Sequence, residues 1–247
     1  MTKSAVNSND IRVDNARYRD FILAIGAKFL AGSKTVLWYV ETLVLSARFL
    51  QMLKSVEWGV QSKLFMNRYR LWESTLKPRI RPGAVVYEFG VASGAATAWW
   101  ARQDVKISEW HGFDTFTGLP TPWKRAGVDV MEAGVFDQSK SELGLPNVVA
   151  GYPIVWHRGL ISKTLTGESF HLSKSTQKVL FIDVDLYQPT REVLSFFSKA
   201  LQSGDMIYFD EGFDPWNEGL ALQECINELP PFRALSHTGS ALLIVID

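Results

Sequence analysis

The chain has 247 residues, 47% hydrophobic and 21% charged, enough for one large or two small domains with a full core. That composition excludes a wholly disordered, collagenous or disulfide-stapled protein, and the lone cysteine, Cys225, excludes an internal disulfide or a thiolate zinc cage. Twenty-six basic residues balance twenty-six acidic ones, yet residues 1–80 hold 13 Lys/Arg against 6 Asp/Glu while residues 81–247 hold 13 against 20. No global charge advertises nucleic acid or membrane, and the plainest reading is a basic segment packing on an acidic domain.

In chain order, Met1–Asp20 is polar and lacks the apolar core of a secretory signal, so a cytoplasmic protein is expected. Phe21–Leu50 is apolar but interrupted by Lys28, Lys34, Glu41 and Arg48. Each central charge costs roughly 2.5–3.5 kcal/mol in a membrane. Lys34, Glu41 and Arg48 are seven apart and share a stripe, which predicts an amphipathic helix rather than a span. Packing on a sister subunit, and hence a homo-oligomer, is favoured over a lipid surface.

Beyond Pro82 short apolar runs alternate with helical stretches, as in a parallel sheet with crossover helices. Strands are predicted at Ala84–Phe89, Trp110–Asp114, Ile154–Trp156, Val179–Asp183, Met206–Phe209 and Ala241–Ile246. Helices are predicted at Ala95–Gln103, from about Thr190 to Leu201, and near Trp216–Glu228, where Pro230-Pro231 stops the last. The expected fold is α/β: a doubly wound, mostly parallel domain over residues 81–247, behind a helical N-terminal extension over residues 1–80.

Ligands of such sheets sit at the carboxyl ends of the strands, and four predicted strand ends carry acids: Glu88, Asp114, Asp183 with Asp185, and Asp210 with Glu211. Glu88-Phe-Gly-Val-Ala-Ser-Gly94 spaces Gly90 and Gly94 as G-x-x-x-G, which fails the dinucleotide fingerprint and lacks the P-loop Lys-Ser/Thr. Glu88 beside this turn repels a pyrophosphate and suits a cationic amino-acid moiety. Asp114 follows Gly90 by 24 residues; a carboxylate there suits two ribose hydroxyls, or else caps the turn before Thr115. Asp114–Pro120 (DTFTGLP) forms a loop fit to border an adenosine. Asp183, Asp210 and Glu211 converge at one edge and repel one another unless a cation intervenes. Oxygen ligands without Cys or His suggest Mg²⁺, with helix capping as the alternative for any single acid.

The combination E-F-G-V-A-S-G, F-D-T-F-T-G-L-P, I-D-V-D-L-Y-Q-P-T and Y-F-D-E-G, over about residues 84–215, resembles the macrocin-type sugar O-methyltransferases, class I enzymes with a Rossmann-like sheet that use S-adenosylmethionine and Mg²⁺. The resemblance implies that Glu88, Gly90 and Asp114 bind the methionine and ribose ends of the cofactor, with Ser93, Gly94, Thr115 and Phe116 completing its site. It implies Asp183, Asp210 and Glu211 as metal ligands, with Asp183 helping to deprotonate the acceptor hydroxyl. The chain departs from the family in carrying Asp210-Glu211 where two aspartates are common, and D-V-D-L-Y-Q-P-T where D-G-D-L-Y-E-S-T is usual.

The expected activity is O-methyl transfer to a sugar or glycosylated natural product, a small-molecule or saccharide acceptor. Catechol-type transfer and a non-catalytic module working through the basic N-terminal helices are the alternatives. Nucleic acid is not expected, because aromatic–basic interleaving is absent. His157 is a candidate base, with a loop histidine the plainer reading; His111 reads as packed and Cys225 as inert. Trp123, in the loop 118–127, suits either sugar stacking or loop anchoring.

Overall fold

Val85, Tyr87 and Phe89 alternate with Ala84, Val86 and Glu88 along the first long strand, and all six are buried. A strand buried on both faces belongs in the middle of a sheet covered on both sides. The computed structural model shows this, describing residues 25–33, 36–37, 39–41, 43–44, 47, 51, 62–124, 130–140, 145–149, 151–168, 170–173 and 175–247. The described strands are β1 (Lys63–Leu64), β2 (Ala84–Phe89), β3 (Ile107–Asp114), β4 (Val148–Val149), β5 (Tyr152–Arg158), β6 (Lys178–Ile182), β7 (Met206–Phe209), β8 (Phe232–His237) and β9 (Leu242–Ile246). They form one sheet in the order β1-β8-β9-β7-β6-β2-β3-β5-β4. Among the described strands β9 runs antiparallel to β7 and β8, and β4 to β5; the remaining pairings are parallel. The chain leaves β2 for β3 on one side and later returns as β6 on the other, so the topological switch point lies beside β2.

One face packs under α3 (Ile161–Thr164), α4 (Tyr187–Phe197) and α5 (Glu218–Cys225). Thr190, Val193, Leu194 and Phe197 supply the buried stripe of α4 at helical spacing. The helix begins at Tyr187 rather than near Thr190, because Pro189 in the first turn gives up no hydrogen bond. The other face is covered by α2 (Ala95–Trp100) and by α1 (Arg68–Leu71), which continues through a π turn, Trp72–Leu76, and a 3₁₀ turn, Lys77–Arg79. Leu71, Trp72 and Leu76 are fully buried there. The Trp72 ring meets those of Trp99, Trp100, Phe181 and Tyr208 at centroid distances of 5.4–5.8 Å. Residues 68–80 thus complete one layer of the core.

The predicted strands all occur, within a few residues of the expected ends. β8 was not anticipated. It starts directly after Pro230-Pro231, and Phe232, Ala234 and Ser236 point inward in alternation. The expected helix over 21–50 is interrupted: residues 25–31 are helical, Gly32 turns, and Ser33 Oγ accepts from the Val36 N–H at 3.3 Å to start a second helix. Ile25, Phe29, Tyr39 and Leu43 are exposed on these helices; Lys34 and Arg48 lie outside the described residues. No helix among the described residues is long and apolar enough to cross a membrane.

At the amino edge of the sheet, buried Asp205 accepts from the Lys178 N–H at 2.7 Å, the Gln202 N–H at 2.9 Å and Lys178 Nζ at 3.3 Å. Removing one partner of a buried pair strands the other's charge. Asp205→Ala is expected to lower unfolding free energy by about 3–5 kcal/mol in urea titrations. A loss below about 1 kcal/mol would show that water reaches Lys178 and replaces the pair.

Candidate active site

At the switch point a cleft opens between the carboxyl ends of β2, β3 and β6, with an empty volume of about 600 Å³ counting its solvent mouth. Gly90, Asp114, Thr115, Asp183 and Asp185 line it together with apolar walls from Phe113, Leu119, Ile161 and Leu186. Among the described residues three aspartates and no lysine or arginine contribute to the lining. Gly90 has φ +86°, and a Cβ on it would fall 1.8 Å from the Asp183 carbonyl oxygen. The β2 turn can therefore close on the end of β6 only as glycine.

Asp114 holds that turn. Its Oδ2 accepts from the Val91 and Ala92 N–H groups, both at 2.7 Å, and its Oδ1 accepts from the Phe116 N–H at 2.6 Å. The turn-capping reading of Asp114 is thus realised, and one of its roughly four acceptor positions remains for a ligand facing the cleft. Thr115 also lines the cleft, its hydroxyl donating to the Gly118 carbonyl at 2.9 Å. Phe116 is buried beside the cleft, with the Arg158 guanidinium 4.5 Å above its ring. Ser93 is exposed on the turn, and Gly94 begins α2 with φ +77°. Neither Ser93, Gly94 nor Phe116 is part of the cleft lining.

Glu88 lies behind the cleft rather than in it. Its Oε2 accepts from Thr97 Oγ1 at 2.5 Å and from Trp110 Nε1 at 3.0 Å, while buried Oε1 has no partner among the described residues. Burial pushes its carboxyl up to about 7, against the two hydrogen bonds.

Behind Asp183 the expected metal set does not form. Among the described residues no group of three or more His, Cys, Asp or Glu side chains is gathered to hold an ion. Asp183 and Asp210 do approach, but the cation between them is Arg68: its Nη1 lies 3.3 Å from Asp183 Oδ2 and 3.1 Å from Asp210 Oδ2. Asp210 Oδ1 also accepts from the Tyr208 hydroxyl at 2.5 Å. Burial works against the Arg68 charge, but Asp210 and Asp183 outweigh it and hold the guanidinium more firmly protonated than usual. Burial, then Asp210 and Asp185, push the Asp183 carboxyl upward, with Arg68 opposing.

Glu218 is a site residue that the sequence did not single out. Fully buried at the start of α5, it accepts from the Val184 and Asp185 N–H groups at 3.2 Å through Oε1 and from the Glu211 N–H at 3.0 Å through Oε2. One carboxylate thereby ties the loops after β6 and β7 together. Its own proton affinity is raised by burial and then by Asp183. An acid in the first turn of a predicted helix was the available signal, but its loop partners were not.

The histidines lie elsewhere. His157 stacks on Phe113 at 4.2 Å, its Nε2 3.1 Å from His111 Nδ1, and burial lowers its pKa to about 4. Both are packed residues. Cys225 is buried in α5, where burial raises its thiol. Trp123 is buried against Leu119 and Leu186, and its backbone pairs with Met131; it anchors its loop.

Two outcomes test this geometry. Glu88 is protonated more readily folded than unfolded, so it favours the fold below about 4.5, and that contribution disappears as pH rises through about 7. Relative to Glu88→Gln, wild-type stability should fall by up to about 3 kcal/mol across that window; parallel stability curves would refute the raised pKa. Gly90→Ala should cost more than about 2 kcal/mol in denaturant unfolding and close the cleft to ligands. Unchanged stability would mean that β2 and β6 approach less closely.

No protein-family model matches the chain, and comparison with curated proteins finds no match. Solved structures do match. CalS11, a calicheamicin methyltransferase, is 20% identical with a TM-score of 0.50, covering 82% of this chain and 91% of its own. Its apo form, described as a TDP-rhamnose 3'-O-methyltransferase, is 20% identical over 82% and 93% at 0.43. The O-methyltransferase NovP is 16% identical over 72% and 76% at 0.44. With this sheet order and the overlap with CalS11, the chain has the Rossmann-like fold of the class I methyltransferases.

Proposed function

We propose that the chain is an S-adenosylmethionine-dependent O-methyltransferase acting on a hydroxyl of a sugar or glycosylated natural product. The observation that carries this reading is the cleft at the switch point, lined by Asp114, Asp183 and Asp185 and, among the described residues, by no basic side chain. Such a lining disfavours a pyrophosphate and favours a cationic ligand with hydroxyls and an apolar ring. The residues present fit S-adenosylmethionine on those grounds. Asp114 and Thr115 would take the ribose, the apolar walls the adenine, and Asp183 and Asp185 the cationic end. Glu88 lies buried behind that end, its Oε1 an acceptor with no partner among the described residues. When bound, this cofactor supplies a methyl group already activated on a sulfonium, so the protein's work is orientation, dehydration and proton removal.

The chain's own residues account for those tasks. Asp183, at the end of β6, is the carboxylate at the cleft floor, and its raised proton affinity suits accepting the hydroxyl proton. Arg68 beside it offers N–H groups to an oxygen gaining negative charge. The residues do not fit a divalent ion, since Arg68 holds the oxygens that would bind it and, among the described residues, no group of three acids or imidazoles is gathered to hold one. No step is assigned to Mg²⁺. The saccharide class rests on the sequence resemblance and on half-exposed Trp216, an aromatic face after β7 with Lys124 Nζ 5.6 Å from its ring centroid.

Isothermal titration with S-adenosylmethionine, with NAD as control, should show binding of the first alone. Asp114→Asn should weaken it about tenfold or more, because an amide cannot accept all three N–H bonds and a ribose hydroxyl as well. Equal binding of NAD, or an unaffected Asp114→Asn variant, would refute the reading.

A further inference from the structure

We propose that Arg68 is the built-in cation of this site, occupying the position between Asp183 and Asp210 and making the site independent of divalent metal. The catalytic consequence rests on the methyltransferase reading; the occupancy does not.

Three features of the chain lead there. The first is the bridge itself. A single nitrogen, Nη1, serves oxygens from the ends of two adjacent strands, β6 and β7. A magnesium ion would need carboxylate oxygens at about 2.0–2.1 Å, and it cannot share that gap with a guanidinium. The second is that, with Arg68 in place, no group of three His, Cys, Asp or Glu side chains among the described residues is gathered to hold an ion, so the guanidinium is the cation this pair has.

The third is how Arg68 is delivered. It stands four residues before Trp72, so the two share a helix face. Trp72 is sunk in the core with its ring 5.4 Å from that of Tyr208, and the Tyr208 hydroxyl donates to Asp210. Asn67 caps α1 by accepting from the Arg70 N–H at 3.1 Å, and β1 pairs with β8 just upstream. The guanidinium carbon lies 5.6 Å from the Tyr69 and Trp72 ring centroids, which flank it with π surface. The helix holding Arg68 is therefore fixed by the same core contacts that hold the sheet.

Chemically the substitution is coherent. A guanidinium supplies one permanent positive charge and five donors in a fixed fork. Nη1 is engaged, and among the described residues Nε and Nη2 have no protein acceptor, leaving donors for an acceptor oxygen. The hydroxyl proton passes to the Asp183 carboxylate while Arg68 holds the oxygen. A guanidinium cannot bind that oxygen as a Lewis acid, so positioning and charge replace metal-lowered acidity.

The test is Mn²⁺ binding to the full-length protein followed by electron paramagnetic resonance. Wild-type protein should leave the free-ion signal unchanged. Arg68→Ala should gain a site that binds Mn²⁺ about tenfold or more tighter than wild type and that vanishes in Arg68→Ala/Asp210→Asn, while Arg68→Lys should stay closed to the ion. Two results would overturn the proposal: a wild-type Mn²⁺ site removed by Asp210→Asn, or a folded Arg68→Ala variant, judged by circular dichroism, that gains none. If Arg68→Ala does not fold, the wild-type and Asp210→Asn titrations still decide. Failure of S-adenosylmethionine to bind would refute the methyltransferase reading and leave the Mn²⁺ result standing.

Discussion

Crowded negative charge at the carboxyl edge of the sheet is the constraint on which the rest of the structure depends. Burial, then Asp210, Asp185 and Glu88, raise the proton affinity of Asp183, and burial, then Asp183, Asp185 and Asp210, raise that of Glu218. Left in water-poor surroundings without partners, such a set would oppose folding. The molecule answers in three ways. Arg68 neutralises the Asp183–Asp210 pair. Backbone N–H groups from two loops converge on Glu218. Glu88 is raised toward neutrality by burial. Each answer ties a distant stretch of chain to the same few ångströms of the sheet edge.

The first answer explains part of the charge asymmetry. Arg68 belongs to the basic stretch 1–80 and its partners to the acidic stretch that follows. Trp72, one turn later, fills the layer between α2 and the sheet. Packing and neutralisation are thus delivered by one short helix, and neither works well alone. Removing the guanidinium leaves two carboxylates facing each other; removing the indole removes what holds the guanidinium's helix in place.

The sheet was legible because each strand is a local signal. AVVYEF, VLFID and MIYF are short apolar runs bounded by turn residues, and they need no partner to be recognised. The acids at the strand ends, Asp114, Asp183 and Asp210, were legible for the same reason. β8 was obscured because FRALSH mixes Arg and His into its outward positions and Ser into an inward one, directly after two prolines. The metal expectation followed from counting acids without knowing that a cation 115 residues upstream of Asp183 stands between them. Glu218 was invisible on similar grounds. Two of its three partners are loop amides 33 and 34 residues away, and no spacing rule connects an α5 carboxylate to the end of β6.

Strain locates the same centre independently. The non-glycine residues with positive φ among the described chain are Ala92, Phe116, Phe136 and Asp185. Ala92, Phe136 and Asp185 line the cleft, and Phe116 lies beside it. Such conformations cost on the order of 1–3 kcal/mol each and persist where surrounding contacts over-determine them. Those contacts are visible. Asp114 accepts from the amides of Ala92 and Phe116, and Glu218 accepts from the amide of Asp185. Two carboxylates, one at the end of β3 and one at the head of α5, therefore hold opposite walls of the cleft in conformations the chain would not choose alone. A cleft held this way is shaped before a ligand arrives. Its ordering is met by folding rather than by binding, which is the condition for placing a weakly nucleophilic hydroxyl against a fixed reaction partner.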